Sequence, residues 1–101
     1  MKKFILEGHD PIPCNDLLEW GRWFETADRR VAETTIGDYW VSTVFLGLDH
    51  SFGGAVPLLF ETMVFKKGSS IDLDGKRYTF WDEAEAGHNT LVEKWRQRTG
   101  A

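Results

Sequence analysis

The chain has 101 residues, of which 42% are hydrophobic and 28% charged, including seven Phe, five Trp and two Tyr. These values predict a single packed domain over residues 1–101, because two domains of about 50 residues would each be near the lower limit for an independent core. Twelve Lys and Arg against sixteen Asp and Glu give a formal charge of -4, which argues against direct binding to the nucleic-acid backbone.

Cysteine usage and the N-terminal residues indicate the compartment. Cys14 is the single cysteine, so an intramolecular disulfide framework and a cysteine-cluster zinc site are excluded. The N-terminus is basic and then apolar, as in a signal peptide, but Glu7 ends the apolar run after three residues. We therefore expect a cytoplasmic protein with no membrane segment.

The first half of the chain predicts a strand, a helix and a β-hairpin. Residues 2–7 are typical of a short strand, which the stretch 8–13 with its two prolines should break. Apolar residues at helical spacing predict a helix over 17–24. The hairpin consists of strands 30–36 and 39–48, and the second strand is apolar at both parities, which indicates a central position in the sheet.

The second half predicts two more strand segments and a helix. Residues 57–65 form the next strand, and Asp74-Gly75 is a typical turn dipeptide between the short strands 71–73 and 77–79. The last helix has apolar side chains at spacings of three and four, which are Trp81, Ala84, His88, Leu91 and Trp95. The predicted fold class is therefore α+β, a small antiparallel sheet of about four to five strands with two helices packed on one face.

The strongest chemical candidate is Asp49-His50, at the end of the predicted central strand and before the Gly53-Gly54 segment. A carboxylate, an imidazole and a glycine-rich loop are typical of acid/base or metal sites, and Glu61 on the next strand could lie close by. Asp and His are also common in turns, and we favour a hydrogen-bonded turn. An isolated buried carboxylate is costly, so we expect Glu61 to be exposed or paired.

The histidines give no zinc-binding spacing, and His88 on the apolar stripe is expected to be a hydrogen-bonded histidine at the edge of the core. The chain also lacks the common nucleotide-binding and hydrolase motifs. We therefore predict no metal, no cofactor and no catalytic residue.

The first predicted helix carries candidates for a protein interface. Trp20 and Trp23 are three residues apart, so one of them is expected to join the core while the other stays at the surface beside Arg22. Exposed Trp and Arg are typical anchors of interfaces, and exposed acids add charge complementarity. The predicted binding residues are Glu19, Trp20, Arg22, Trp23, Glu25, Asp49, His50 and Glu61.

Four strings span most of the chain, namely PCNDLLEW-x-RWFE, VSTVFLGLDH, PLLFETMVF and WDEAEAGH. They resemble a family of small uncharacterised proteins of phages, prophages and bacterial genomes. The resemblance implies a phage-type setting, and hence the host cytoplasm, but no activity and no site residue. Small phage accessory proteins often bind a host or phage protein, and inhibitors of CRISPR-Cas and other defence systems are among them.

Three hypotheses follow. The first is a non-enzymatic phage-type accessory protein that binds a host or phage protein complex, for example as an inhibitor of a defence system such as CRISPR-Cas. The second is a small homodimeric ligand-binding or enzymatic domain that uses Asp49, His50 and Glu61. The third is a protein that self-associates through an exposed edge or face of its sheet.

Overall fold

The computed structural model describes residues 1–100, and Ala101, which the predicted domain includes, lies outside the described residues. Strands β3 to β6 form one antiparallel sheet in chain order, and β1 pairs with β2 in a separate antiparallel hairpin. The predicted α+β class is confirmed. The elements are β1 (Phe4–Glu7), β2 (Asp10–Pro13), α1 (Leu17–Thr26), β3 (Arg30–Ile36), β4 (Tyr39–Phe45), β5 (Phe60–Lys66), β6 (Asp72–Tyr78) and α2 (Trp81–Thr99).

Side chains of the four-stranded sheet alternate between two faces, and α2 covers one of them. Val41, Phe45 and Phe60 are fully buried on that face. Against them α2 buries Ala84, His88, Leu91, Val92 and Trp95. The predicted three-four spacing of the last helix therefore corresponds to its buried stripe.

The second face of this sheet has no helix or strand packed on it within residues 1–100. We call it the open face. β4 has the central position that its sequence predicts, but it is covered on one side only. The open face is formed by Arg30, Glu33, Thr35, Trp40, Ser42, Val44, Glu61, Met63, Phe65, Asp72, Gly75 and Arg77.

The first strand ends at Glu7, before the stretch 8–13, as predicted, but residues 10–13 with their two prolines form a second strand, which was not predicted. Pro11 and Pro13 lie in β2 and pair with Leu6 and Phe4 of β1. A proline lacks the N–H that a central strand needs, but β2 pairs on one side only, so the missing donor can face away from the ladder.

The predicted turn at Asp74-Gly75 is also wrong, because both residues lie within β6. The Asp74 carboxylate binds the C-terminal half of α2: its Oδ2 accepts hydrogen bonds from Lys94 Nζ at 2.7 Å and from the Trp95 indole at 3.0 Å. The Lys94 bond, more than the others, lowers the pKa of Asp74. Contacts with a distant helix thus override the local turn preference.

The first helix differs from the predicted arrangement, since α1 packs chiefly on β1 and not beside α2. The indole N–H of Trp20 donates to the carbonyls of Phe4 and Gly47, both at 3.1 Å. Trp23 reaches the sheet by meeting Phe45 edge-on, with ring centroids 5.7 Å apart. The helix therefore lies at one end of the sheet, where β1 provides the apolar surface. Neither helix described over residues 1–100 has the length and apolar character needed to cross a bilayer.

Gly87 of α2 tests the contact between helix and sheet. A Cβ atom at Gly87 would lie 2.2 Å from the Tyr78 ring. We expect G87A to lower the free energy of unfolding by about 1–3 kcal/mol through overpacking, although alanine favours a helix by about 1 kcal/mol over glycine. Urea denaturation followed by circular dichroism measures the effect.

Gly21 of α1 is the matched control, because a Cβ atom there has no neighbour within 4 Å. G21A should therefore raise the free energy of unfolding by about 0.5–1 kcal/mol. A G87A protein as stable as G21A would show that Tyr78 does not lie against α2.

Candidate functional site

Asp49 holds together the long connection between β4 and β5, residues 46–59. Its Oδ1 accepts hydrogen bonds from the backbone N–H groups of Ser51 at 2.8 Å and Leu58 at 3.1 Å. The backbone bond from Ser51 is the main reason why the pKa of Asp49 is lowered. The backbone N–H of Asp49 donates in turn to the Lys2 carbonyl at 3.0 Å. Asp49 thus ties the two ends of the connection to each other and to the N-terminus.

His50 and Glu61 serve separate local contacts. His50 Nδ1 lies 2.9 Å from the carbonyl oxygen of Leu48, so this nitrogen carries the hydrogen and donates it. Glu61 lies on the open face, where its Oε2 accepts a hydrogen bond from Arg77 Nε at 2.8 Å. Glu61 is therefore paired, as its sequence context predicts.

The structure does not assemble the acid/base constellation considered for Asp49, His50 and Glu61. Each of the three has its own partner, and none of the hydrogen bonds described within residues 1–100 joins one to another. In the same range, no three His, Cys, Asp or Glu side chains lie together in a way that could hold a metal ion. Local hydrogen bonds of the connection 46–59 therefore account for Asp49 and His50, and the Asp49 carboxylate accepts two of them.

Helix α1 presents a different surface from the one predicted. Glu19, Arg22 and Glu25 are exposed, whereas Trp20 and Trp23 are half-buried and point inward, so neither indole is a free anchor. The exposed apolar side chains are instead Leu17 and Leu18, at 65% and 71% exposure. The sequence pattern assigns both leucines to the buried stripe and so misses them.

The N-terminus of α1 explains this orientation. Asp16 is the N-cap residue, and its Oδ1 accepts hydrogen bonds from the backbone N–H groups of Leu18 at 2.9 Å and Glu19 at 3.1 Å. These bonds fix where the helix begins. The Trp20 indole donates to the carbonyls of Phe4 in β1 and of Gly47, and the leucines of the first turn remain in solvent.

Phe52 is a further exposed apolar residue that the sequence does not predict. It is 75% exposed, and its φ of 54° lies in the left-handed region. This conformation is unfavourable for a bulky side chain, and its occurrence often marks a functional loop. One feature of the sequence could have indicated this exposed ring: Phe52 is an aromatic residue between Ser51 and Gly53-Gly54, in a segment otherwise rich in turn formers.

Phe52 borders a hollow of about 650 Å³ between the N-terminus, the start of α1 and the connection 46–59. Met1 and Asn15 line its other sides, and Met1 is itself 67% exposed. Leu17 and Leu18 follow Asn15 directly in α1 after the cap residue. We call Met1, Leu17, Leu18 and Phe52, with this hollow, the loop-end patch.

His88 belongs to a polar network in the core, between α2 and the sheet. Its Nδ1 lies 2.7 Å from Thr43 Oγ1 and its Nε2 lies 2.9 Å from Thr34 Oγ1. Thr43 and Thr62 are bonded at 2.6 Å, and the Tyr78 hydroxyl donates to Thr62 at 3.1 Å. A neutral imidazole satisfies this chain, because one ring nitrogen donates a hydrogen bond and the other accepts one.

Comparisons of this chain with family models, with curated proteins and with solved structures give no match. The resemblance to small phage and bacterial proteins therefore stays a prediction.

Asp49 variants separate a structural role from a catalytic one. Both loop bonds use Oδ1, and asparagine keeps this oxygen, whereas alanine removes it. We expect D49N to melt close to the wild-type temperature and D49A to melt lower, with faster cleavage of the connection 46–59 by a protease. Equal damage in both variants would contradict the role of Oδ1. An activity abolished in a well-folded D49N would favour the enzymatic hypothesis.

His88 makes stability depend on pH. Burial lowers the pKa of His88, so the folded protein resists a proton that the unfolded chain binds below about pH 6.5. The free energy of unfolding is therefore expected to fall as the pH decreases through the window below about 6.5. Urea titrations across this window measure the slope, and H88Q, which has no imidazole, should show a smaller one. An unchanged slope in H88Q would assign the effect to other groups.

Proposed function

We propose that this protein acts by binding another protein through the loop-end patch, and not by catalysis. The observation that supports this most is Phe52, a large aromatic side chain exposed at 75% on a backbone of positive φ. Exposure of the ring and the backbone conformation are both unfavourable for the isolated chain. A partner that buries the ring would recover the first of these free-energy terms.

The surroundings of Phe52 fit an interface better than an active site. Asp49 directs its carboxylate into the backbone of the connection, so it presents the loop and has no free acceptor role at Oδ1. Met1 lines the same hollow as Phe52, and Leu17 and Leu18 at the start of α1 are exposed as well. Exposed apolar area of this kind is typical of binding surfaces. The combination is an aromatic anchor on a braced loop, which loses little conformational freedom on binding.

Charged side chains lie around this apolar area. Lys2 and Lys3 line the hollow beside Phe52, and the exposed Glu19, Arg22 and Glu25 follow Leu18 along α1. Apolar anchors within a charged rim are the usual composition of a protein interface. In this proposal, Glu19, Arg22 and Glu25 contribute their charges to the interface, while the half-buried Trp20 and Trp23 hold α1 in place.

The resemblance to phage and bacterial proteins supports a host or phage protein complex as the class of partner. Inhibition of a defence system such as CRISPR-Cas is one such activity. The formal charge of -4 supports contact with a protein more than contact with nucleic acid. The alternative of a small enzyme or ligand-binding domain has less support, because Asp49, His50 and Glu61 each have a separate partner.

The L18S/F52S variant tests the proposal. Immobilised wild-type chain and variant are exposed to the same bacterial lysate, and retained proteins are identified by mass spectrometry. The partner retained by the wild type is then titrated against each chain. Loss of anchor residues of this kind typically costs about 2 kcal/mol or more, so we expect the dissociation constant to rise by at least about tenfold.

Ile71 provides the matched control, because it is 72% exposed and lies just before β6, outside the loop-end patch. I71S should bind as the wild type does. If L18S/F52S binds as tightly as I71S while both keep the wild-type circular dichroism, the loop-end patch is not the binding surface.

A further inference from the structure

The open face of the sheet consists of three rows of residues, each crossing all four strands. The hydrogen-bonding register sets the rows as Arg30, Val44, Glu61 and Arg77, then Glu33, Ser42, Met63 and Gly75, then Thr35, Trp40, Phe65 and Asp72. The two central strands supply the apolar members. Trp40 and Phe65 have ring centroids 5.9 Å apart, and both are half-buried by their neighbours on the face.

Two ion pairs neutralise four charged side chains of the open face, and Asp72 at its edge adds one carboxylate. Arg30 Nη1 lies 2.7 Å from Glu33 Oε2 on β3, and Arg77 Nε lies 2.8 Å from Glu61 Oε2 across β5 and β6. Arg30 also lies over the Trp40 ring, 5.3 Å from its centroid. The protein as a whole has a formal charge of -4. The open face is therefore a surface on which two copies of this acidic chain can approach with little repulsion between these groups.

The dimensions of the face fit a small interface. Four strands about 4.8 Å apart and seven residues long, at about 3.4 Å per residue, give a flat area of about 450 Å². Side-chain relief increases the accessible area beyond this value, so two copies together would bury roughly the 1,000 Å² that a specific interface needs. An interface of this size between two sheets is expected to be weak.

We propose that a second copy of this chain packs on the open face and forms a twofold-symmetric dimer, sheet against sheet. A twofold interface requires a surface that complements itself. Here the apolar centre of one face meets the apolar centre of the other, and each rim contains both charge signs. Two sheets in such an arrangement lie about 10 Å apart, with side chains of both inner faces between them. The α2 helices are then on the two outer sides.

This proposal does not depend on the proposed function, because the open face and the loop-end patch share no residue. The L18S/F52S variant should therefore dimerise like the wild type. Sedimentation equilibrium over about 5 µM to 1 mM chain is expected to show the mass rising from one chain of 11.6 kDa toward two, with a dissociation constant in the micromolar range typical of small interfaces.

Two pairs of variants test the surface. Arg77 and Lys76 are neighbours on β6 with side chains on opposite faces, so R77E and K76E change the net charge equally, but R77E places its acid on the open face. Met63 lies in the middle row of the open face, and Ile71 lies outside it. We expect R77E and M63E to weaken dimerisation at least tenfold, and K76E and I71E to leave it within about twofold of the wild type.

Circular dichroism and melting accompany each sedimentation run. Should M63E fail to fold, the R77E and K76E pair, both at exposed positions, decides alone. A wild-type chain that stays monomeric to 1 mM would overturn the proposal. Equal dimerisation of R77E and K76E would also overturn it, whether both bind like the wild type or both are weakened.

Discussion

α2 packs on one face of the four-stranded sheet through one stripe of side chains. Because this face is occupied by α2, that contact determines where the other elements pack. The helix is 19 residues long and buries Ala84, Leu91 and Trp95 against one sheet face. Gly87 lets the Tyr78 ring approach the helix backbone, and Asp74 binds Lys94 and Trp95 near its C-terminus. A single helix covers a single face. The opposite face, with Trp40 and Phe65 on its two central strands, is left to solvent or to another chain.

The same contact displaces α1 to the end of the sheet. Because α2 contacts all four strands on its face, α1 packs on the β1–β2 hairpin, and the Trp20 indole binds the carbonyls of Phe4 and Gly47. Gly47 has a φ of 76°, and a Cβ atom there would lie 3.0 Å from the Phe24 ring, so helix and strand end meet closely. The connection 46–59 leaves the sheet at this junction, and Asp49 secures it.

Sequence periodicity predicts the parts of this fold that depend on one element alone. The buried stripe of α2 and the central position of β4 both follow from local patterns of apolar residues. The position of α1 does not, because its apolar side chains could pack equally on the sheet or on β1. The Asp74-Gly75 turn fails for a related reason: its carboxylate gains two partners on α2, about twenty residues further along the chain. At Asp74, long-range hydrogen bonds outweigh the local preference, and at α1 the bonds of Trp20 to Phe4 and Gly47 decide between the two surfaces.

The candidate site is harder to read from sequence, because exposure depends on packing that no short pattern contains. Asp49 and His50 attract attention as chemical groups, yet their hydrogen bonds go to the backbone. Phe52, Leu17 and Leu18 look like core residues and are exposed. A residue type indicates what a side chain can do, whereas the contacts of its backbone decide where it points.

The two proposed surfaces have a joint consequence, because the loop-end patch is outside the sheet-to-sheet interface. A dimer through the open face would carry two copies of Phe52, one on each chain. Two linked binding surfaces raise the apparent affinity for a partner that offers two matching sites, provided that the spacing allows both to engage. A partner with a single site would gain nothing from the dimer. The oligomeric state of the partner therefore decides whether self-association strengthens binding or merely accompanies it.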